Sequence, residues 1–181
     1  MKIMVFSDIH GSLYYTKKAL AIVEKEKIDQ IIILGDIMYH GPRNPLTKDY
    51  DPLDVSIELN KYANKIIGVR GNCDAEIDQQ LLDYDSRKDF QVVRLNKRDF
   101  FITHGHIFQP DNHPDLPQGS IFLSGHTHLL SAVKKDGIYY INPGSVSLPK
   151  GGNPCSYAII DEDHVEINDF DGNVIKKLKF E

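Results

Sequence analysis

The sequence lacks the features that would mark a membrane, exported or nucleic-acid-binding protein. No apolar run approaches the roughly 20 residues that a helix needs to cross a bilayer. The apolar N-terminal segment reaches Asp8 too soon to supply the apolar region of a signal peptide, which needs roughly 7–15 residues. The formal net charge of −5 gives no excess of Lys and Arg for binding long nucleic acid. We therefore expect a soluble, cytoplasmic protein that binds neither a membrane nor long nucleic acid.

Cysteine is scarce as well: the chain of 181 residues has two, Cys73 and Cys155. They could pair in principle, but a chain of this length buries a substantial core without a disulfide. Cys73 also lies within a cluster of polar residues, which favours a free thiol. Internal repeats and low-complexity tracts are absent too. We therefore expect reduced cysteines and a single domain over residues 1–181.

The first half of the chain is organised around the apolar run Ile31–Leu34. Four consecutive apolar residues are typical of a strand buried on both faces, and this run stops at Gly35 and Asp36. In open α/β sheets, ligands bind just beyond the carboxyl ends of the strands, so Asp36 is a candidate for chemistry. Polar residues follow apolar runs at four other places: Val5–His10, Val69–Asn72, Phe101–His104 and Phe122–His128.

Between these runs, the first half of the chain has helical signals. Ser12 is expected to cap a helix that extends to about Lys27, because inward-facing apolar residues recur behind it. Asp51 before Pro52 predicts the start of a second helix, which extends to about Asn64. A third, short helix is expected over residues 75–84, capped by Asp74 or a neighbour. The predicted order is therefore βαβαβα.

The second half has different local signals. From Gln91, turn residues separate short apolar runs, which predicts hairpins and a second sheet stacked on the first. Residues 39–45 contain two prolines and are expected to form a loop over the site. The proline-rich segment 106–118 is expected to be either a lid or a rigid surface loop.

The polar strand ends form five motifs in order along the chain. They are Asp8-Ile9-His10, Gly35-Asp36, Gly71-Asn72-Cys73-Asp74, His104-Gly105-His106 and Gly125-His126-Thr127-His128. In this order they resemble the calcineurin-like metallophosphoesterase superfamily, and within it the small YfcE-type phosphodiesterases of bacteria and archaea. The resemblance extends to the H-G-P-R-N loop and covers nearly the whole chain. It implies an α/β fold, a four-layer α/β/β/α sandwich of two mixed sheets, and assembly as a homo-oligomer, a dimer or a tetramer.

The resemblance also implies a centre of two divalent metal ions. One ion would be held by Asp8, His10, Asp36 and His128, and the other by Asp36, Asn72, His104 and His126, so Asp36 bridges them. Carboxylate, amide and imidazole donors suit Mn²⁺, Fe²⁺ or Zn²⁺; we expect Mn²⁺, with Fe²⁺, Zn²⁺ or Ni²⁺ as alternatives. Two ions about 3.5–4 Å apart can activate a hydroxide for in-line attack on phosphorus. The expected reaction is hydrolysis of a small phosphodiester by that hydroxide.

Other catalytic roles are expected near these ligands, for Asn72, Cys73, Asp74, His106 and Arg43. Cys73 stands where many relatives have a His that is assigned to protonating the leaving group. A thiol with a reference pKa of ~8.5 is a poorer proton donor, so we expect diesters with good leaving groups to be preferred. His106 or a water is the alternative donor. Asp74 either orients a ligand or caps a helix.

Two basic residues are candidates for binding the phosphate. Arg43, with Asn44 beside it, either clamps phosphate oxygens or is an ordinary surface arginine. Lys150 lies in a glycine-containing loop that either binds an anion or is a turn between the sheets.

Two other functions compete with hydrolysis. The superfamily includes a trafficking subunit with a degraded metal site, so a non-catalytic protein-interaction scaffold is the alternative function. The signature of such a scaffold is missing ligands, and here none is missing. A metal-binding regulator without turnover would share every ligand with an enzyme.

Overall fold

The computed structural model describes all 181 residues. In chain order its strands are β1 (Ile3–Phe6), β2 (Gln30–Ile33), β3 (Ile66–Gly68), β4 (Phe90–Leu95), β5 (Arg98–Thr103), β6 (Ile121–Leu123), β7 (Ser131–Lys135), β8 (Ile138–Asn142), β9 (Ser156–Ile160), β10 (His164–Asp169) and β11 (Val174–Lys179). The first sheet has the order β11-β10-β9-β1-β2-β3, and the second has the order β4-β5-β6-β8-β7. Parallel neighbours are β1, β2 and β3 in one sheet and β5, β6 and β8 in the other, whereas the remaining pairs are antiparallel. Both sheets are mixed, as predicted.

Two α-helices follow β1 and β2. Helix α1 spans Leu13–Lys25, and the predicted cap is confirmed because the Ser12 hydroxyl accepts a hydrogen bond from the Tyr15 N–H at 3.4 Å. Helix α2 spans Pro52–Asn60, and the Asp51 carboxylate caps it by accepting from the Asp54 N–H at 3.0 Å. Neither helix is long and apolar enough to cross a membrane.

The predicted ends of two helices were wrong. Helix α2 stops at Asn60 instead of Asn64, because the Asn60 side chain bonds the backbone of Leu81 and Asp83, and a 3₁₀ turn over Ala63–Lys65 follows. The helix predicted over residues 75–84 is a 3₁₀ helix of five residues, Glu76–Gln80. Its continuation is blocked because the Gln79 side chain donates to the backbone carbonyls of Leu82 and Tyr84. Asp74 does not cap it, and its carboxylate is used elsewhere.

The sheets pack face to face around a buried apolar core. This core includes Ile32 and Leu34 from the first sheet and Phe100, Ile102 and Tyr139 from the second. A second core lies between the first sheet and the two helices. The four consecutive apolar residues predicted to be buried on both faces therefore contribute to two cores, since Ile31 and Ile33 pack toward the helices and Ile32 and Leu34 toward the second sheet.

A loop, rather than a helix, covers the outer face of the second sheet. Phe108 and Leu116 of the proline-rich segment pack on Phe101 and Phe122 of that sheet. Two alternatives were expected for this segment, a lid or a surface loop. Its packing on the sheet supports the surface loop.

Because the core between the sheets is buried, removing one of its side chains should lower the free energy of unfolding. Ile32 is fully buried there, so Ile32→Ala should lower the free energy of unfolding by about 2–5 kcal/mol through lost burial and a cavity. Ile57 on α2 is 49% exposed, and Ile57→Ala should change the same quantity by less than about 0.5 kcal/mol. Urea titrations of both variants measure the difference, and equal losses would contradict the assigned core.

Candidate metal centre

The seven residues expected to bind metal lie on loops that follow strands of both sheets. Asp8 and His10 follow β1, Asp36 follows β2, Asn72 follows β3, His104 follows β5, and His126 and His128 follow β6. Hydrogen bonds hold these loops together: within the second sheet the Gly125 N–H donates to the His104 carbonyl at 2.7 Å, and between the sheets the His126 N–H donates to the Asp8 carboxylate at 3.0 Å. The structure therefore brings residues from most of the chain to one place.

The backbone at this place is strained. Five of the seven residues have a positive φ, which non-glycine residues adopt rarely: Asp8 (56°), His10 (50°), Asp36 (53°), His126 (65°) and His128 (60°). Each such conformation costs on the order of 1–3 kcal/mol and persists only where the surrounding structure enforces it. Strain of this kind is concentrated at functional sites, which supports a role for these residues beyond folding.

The carboxylates of Asp8 and Asp36 each accept a backbone hydrogen bond with one oxygen, and the other oxygen faces the histidines of the cluster. The Asp8 Oδ2 atom accepts from the His126 N–H, and the Asp36 Oδ1 atom accepts from the Cys73 N–H at 2.8 Å. Asp8 Oδ1 is buried without a hydrogen-bond partner, and His128 Nε2 lies 3.2 Å from it. A buried carboxylate oxygen in this state needs a donor or a cation, so the arrangement fits a metal ligand.

Three histidine rings are oriented by backbone carbonyls. Their Nδ1 atoms bond carbonyl oxygens as follows: His10 to Tyr39 (2.8 Å), His104 to Leu34 (2.6 Å) and His128 to Leu148. A carbonyl only accepts, so Nδ1 carries a proton in each ring, and Nε2 has a lone pair whenever the ring is neutral. The Nε2 atoms of His10 and His128 lie 3.3 Å apart, and two lone pairs at that distance are stabilised by a cation between them. Fixing the ring in this way is usual for metal-binding histidines.

The remaining donors lie around His104. Its Nε2 atom is 3.5 Å from Asp36 Oδ2, 4.0 Å from Asp8 Oδ1 and 3.1 Å from the Asn72 side-chain oxygen. The His126 ring packs with its centroid 5.2 Å from that of His104. Ligand atoms of Asp8, His10 and His128 lie within 4.8 Å of one another, and so do those of Asp8, Asp36 and His104. This set of oxygen and imidazole donors fits divalent metal ions.

Charges within the cluster shift its protonation. Burial by itself lowers the pKa of His104, but the neighbouring Asp36 and Asp8 carboxylates raise it to about 9. Burial raises the pKa of each of those carboxyls, yet the nearby imidazoles outweigh it and hold both pKa values below normal. Burial lowers the pKa of His10 and His126. Before a metal binds, His104 is therefore an imidazolium at pH 7 and offsets part of the negative charge of the carboxylates.

Asp74 joins the loops after β2 and β3. Its carboxylate accepts from the backbone N–H groups of Asp36 (2.8 Å), Ile37 (2.7 Å) and Gly71 (2.7 Å). Burial raises the pKa of Asp74 to about 6, although these N–H groups oppose the shift. The loops approach so closely that a side chain at Gly71 would overlap the Asp36 carboxylate. Of its two expected roles, helix capping is wrong, and Asp74 contacts the backbone of a predicted ligand.

Neither candidate proton donor is a strong acid near pH 7. Burial and the neighbouring Asp36 carboxylate raise the pKa of Cys73 to about 12, so its thiol stays protonated. Its sulfur lies close to His10 and Asp36, within the cluster. Burial, with the charge of His104, lowers the pKa of His106, so this ring is mainly neutral. His106 packs against His104 and His126, with a buried Nδ1 that has no hydrogen-bond partner.

A cleft of about 520 Å³, called the metal cleft here, opens beside the cluster. Its lining includes the predicted ligands His10, Asp36 and Asn72, together with Arg43, Asn44 and Lys150. Arg43 and Lys150 are in no ion pair anywhere in the structure, so two free cations border the cleft. Arg43 is exposed and lines the metal cleft, so both of its expected roles, a phosphate clamp and an ordinary surface arginine, stay predictions.

Sequence reasoning missed the residues that support the ligand loops. The hydroxyls of Ser145 and Ser147 donate to the Asp8 carbonyl at 2.8 and 3.0 Å. The Asn142 side chain donates to the Gly125 carbonyl at 2.8 Å and to Thr127 Oγ1 at 3.1 Å. Nothing in the sequence of the segment Asn142–Ser145 indicates which loops it contacts.

Comparisons with known proteins give the family of this chain and several of its relatives. A model of the calcineurin-like phosphoesterase superfamily domain matches residues 1–164. The chain is 47% identical over 167 residues to the phosphodiesterase YfcE of Escherichia coli strain K12, covering 92% of this chain and 91% of that protein. It is 30% identical over 152 residues to a phosphodiesterase of Methanocaldococcus jannaschii, covering 80% and 83%. A solved structure of the E. coli phosphoesterase YfcE matches all of both chains, with a TM-score of 0.97 and 44% identity.

The raised pKa of His104 predicts how metal binding depends on pH. The ring binds a metal only after losing its proton, so below about pH 9 binding should release about one proton, and the apparent affinity should rise roughly tenfold per pH unit. Above that pH the ring is already neutral and the dependence should flatten. Calorimetric titration with Mn²⁺ at pH 6.5–8.5, in buffers of different ionisation enthalpy, measures the proton count.

A matched control is His164→Gln. His164 lies on β10, where it pairs with Asp161 at 3.0 Å and Glu166 at 3.2 Å, away from the cluster. This variant should keep the wild-type pH dependence. An affinity that is independent of pH in the wild type would contradict the protonation assigned to His104.

Proposed function

Because the chain belongs to the calcineurin-like phosphoesterase superfamily, we propose that residues 1–181 form one domain that hydrolyses small phosphodiesters at a centre of two divalent metal ions. The observation that carries this proposal is the convergence of two buried carboxylates, one amide and four imidazoles beside a cleft with free cations. The family and the α/β fold of two mixed sheets, both expected from the motifs, are confirmed.

The ligands are assigned as the resemblance implies. Asp8, His10, Asp36 and His128 would hold one ion, and Asp36, Asn72, His104 and His126 the other. Support for Asp36 as the bridge comes from its Oδ2 atom, which lies 3.7 Å from His10 Nε2 and 3.5 Å from His104 Nε2, one ring from each set. When bound, the ions lower the pKa of water and neutralise charge on the phosphoryl oxygens.

The protein's own residues position the substrate and its leaving group. Arg43 and Lys150 border the metal cleft, where their charges would bind the phosphate and stabilise a departing oxyanion. Asp74 keeps the loops that carry Asp36 and Asn72 together by its three backbone hydrogen bonds. Since Cys73 and His106 are both poor acids at pH 7, the leaving group departs without a strong donor.

Three finer points belong to the same proposal. We assign Mn²⁺ as the metal in the cell, because the donors are oxygen and imidazole nitrogen and Cys73 stays a thiol. We assign the protein to the cytoplasm, which agrees with its two free cysteines. We propose a dimer or tetramer, for which the exposed apolar residues Phe90 and Val92 on the edge strand β4 offer a surface.

The alternative, a non-catalytic scaffold, has less support. A scaffold does not need metal-binding residues, but this chain keeps all seven and holds five of them in a strained backbone conformation. The two relatives described above, from Escherichia coli and Methanocaldococcus jannaschii, are phosphodiesterases.

The proposed function predicts turnover of a phosphodiester. With Mn²⁺, the protein should hydrolyse bis(p-nitrophenyl) phosphate, and Asp36→Asn should lower kcat/KM on the order of 10³-fold or more, because nucleophile activation depends on the centre. Release of p-nitrophenolate measures the rate, with bound metal counted by elemental analysis. The control His164→Gln should keep wild-type activity. Wild-type protein that binds Mn²⁺ without turnover would instead support a regulator or scaffold.

The lack of a strong proton donor predicts how the rate depends on the leaving group. For aryl methyl phosphates, log(kcat/KM) should fall steadily as the pKa of the leaving phenol rises, because no strong acid donates a proton to it. Cys73→His adds a possible donor and should flatten that slope. Cys155→Ser, a change at the other free cysteine, should leave the slope unchanged. A wild-type slope near zero would mean that the enzyme contains an efficient proton donor.

A further inference from the structure

A second cleft, of about 420 Å³, meets the metal cleft at His126. It lies between the loop that contains Gly105, Gln109 and Pro110 and the loop that contains His126, Thr127 and Leu129, and His126 lines both clefts. The metal centre therefore has cavities on two sides of one ligand. A phosphate bound at the centre could direct one substituent into each of them.

The two clefts differ in charge. The metal cleft contains Arg43 and Lys150 together with the carboxylates of the site. The second cleft contains no Lys, Arg, Asp or Glu; apart from His126, its lining is glycine, apolar side chains, hydroxyls and amides. A leaving group that acquires negative charge suits the cationic cleft, whereas a substituent that stays bonded to phosphorus acquires no charge and suits the neutral one.

The surface of the second cleft suits a flat ring. Leu129 is 44% exposed, so its side chain offers an apolar surface at this cleft. The ring of Tyr140 is held in place because its hydroxyl contacts His113 Nε2 at 3.0 Å and its face packs near Phe122, with centroids 5.6 Å apart. Gln109 and Thr127 add polar groups at the same cleft. Apolar walls with a few polar groups are typical of small-molecule sites.

We infer that the second cleft binds the non-leaving substituent of the phosphodiester, an aromatic or heteroaromatic ring, and that Leu129 determines this specificity. The inference rests on the proposed phosphodiesterase function and gives it a substrate class. A monoester has no second substituent and leaves this cleft unused, so the cleft favours diesters.

The test compares two substrates with the same leaving group. Leu129→Ala should raise KM for bis(p-nitrophenyl) phosphate roughly tenfold, the effect of missing hydrocarbon in an apolar pocket. It should leave methyl p-nitrophenyl phosphate unaffected, because its methyl group does not reach the cleft walls. Leu129→Trp, which fills the cleft, should show the same selectivity more strongly. The control Leu53→Ala removes an exposed leucine on α2 and should affect neither substrate.

Binding gives a readout that does not need turnover. Diphenylphosphinate has two rings joined to phosphorus by P–C bonds that the enzyme cannot hydrolyse, and dimethylphosphinate has none. Leu129→Ala should weaken binding of the first to the Mn²⁺-loaded protein, measured by calorimetry, and leave the second unchanged.

The outcomes separate this inference from the proposed function. If Leu129 variants change both substrates and both phosphinates equally, or change none, the inference is wrong while the phosphodiesterase function stands. If the wild type hydrolyses neither substrate with Mn²⁺, the proposed function is wrong, and the phosphinates alone decide whether the cleft binds a ring. Selective loss of the two-ring compounds supports the inference.

Discussion

The site depends on two carboxylates that are buried beside each other and cannot both be satisfied by the protein backbone. Asp8 and Asp36 each give one oxygen to an N–H group and turn the other toward the same imidazole nitrogens. Burying an ionised carboxylate without compensation costs several kcal/mol, so positive charge must be supplied at this point. The raised pKa of His104 shows one source of it, and the family's divalent metals are the other. The surrounding loops hold the remaining donors around this charge.

Holding the donors there requires a stable framework. If each left-handed ligand residue costs on the order of 1–3 kcal/mol, the total is comparable with the whole net stability of a typical domain. The framework that offsets it consists of the core between the sheets and the core under α1 and α2. Parallel strands help as well, because the carboxyl ends of β1, β2 and β3 lie at one edge and those of β5 and β6 at the facing edge.

The metal-binding residues can be predicted from the sequence better than the residues that hold their loops in place. Asp36 could be identified because an apolar run ends at a glycine and a carboxylate, a signal within six residues. Helix α2 and the turn after Asp74 were misjudged because their ends depend on hydrogen bonds between residues far apart, such as that of Asn60 with Leu81. The same reason applies to Asp74 itself: its three partners include two on a loop more than 30 residues earlier in the chain. Local patterns contain no information about such contacts.

The charge of the protein bears on the choice between a diester and a monoester. The chain has a net charge of −5, so an ester that carries more negative charge meets more repulsion from the protein as a whole. A phosphodiester carries one negative charge, whereas a monoester, with a second pKa of about 6, carries nearly two at pH 7. Arg43 and Lys150 are the free cations that border the metal cleft, and they would attract esters of either charge. A neutral second cleft adds binding energy from a second substituent without adding charge, which only a diester can use.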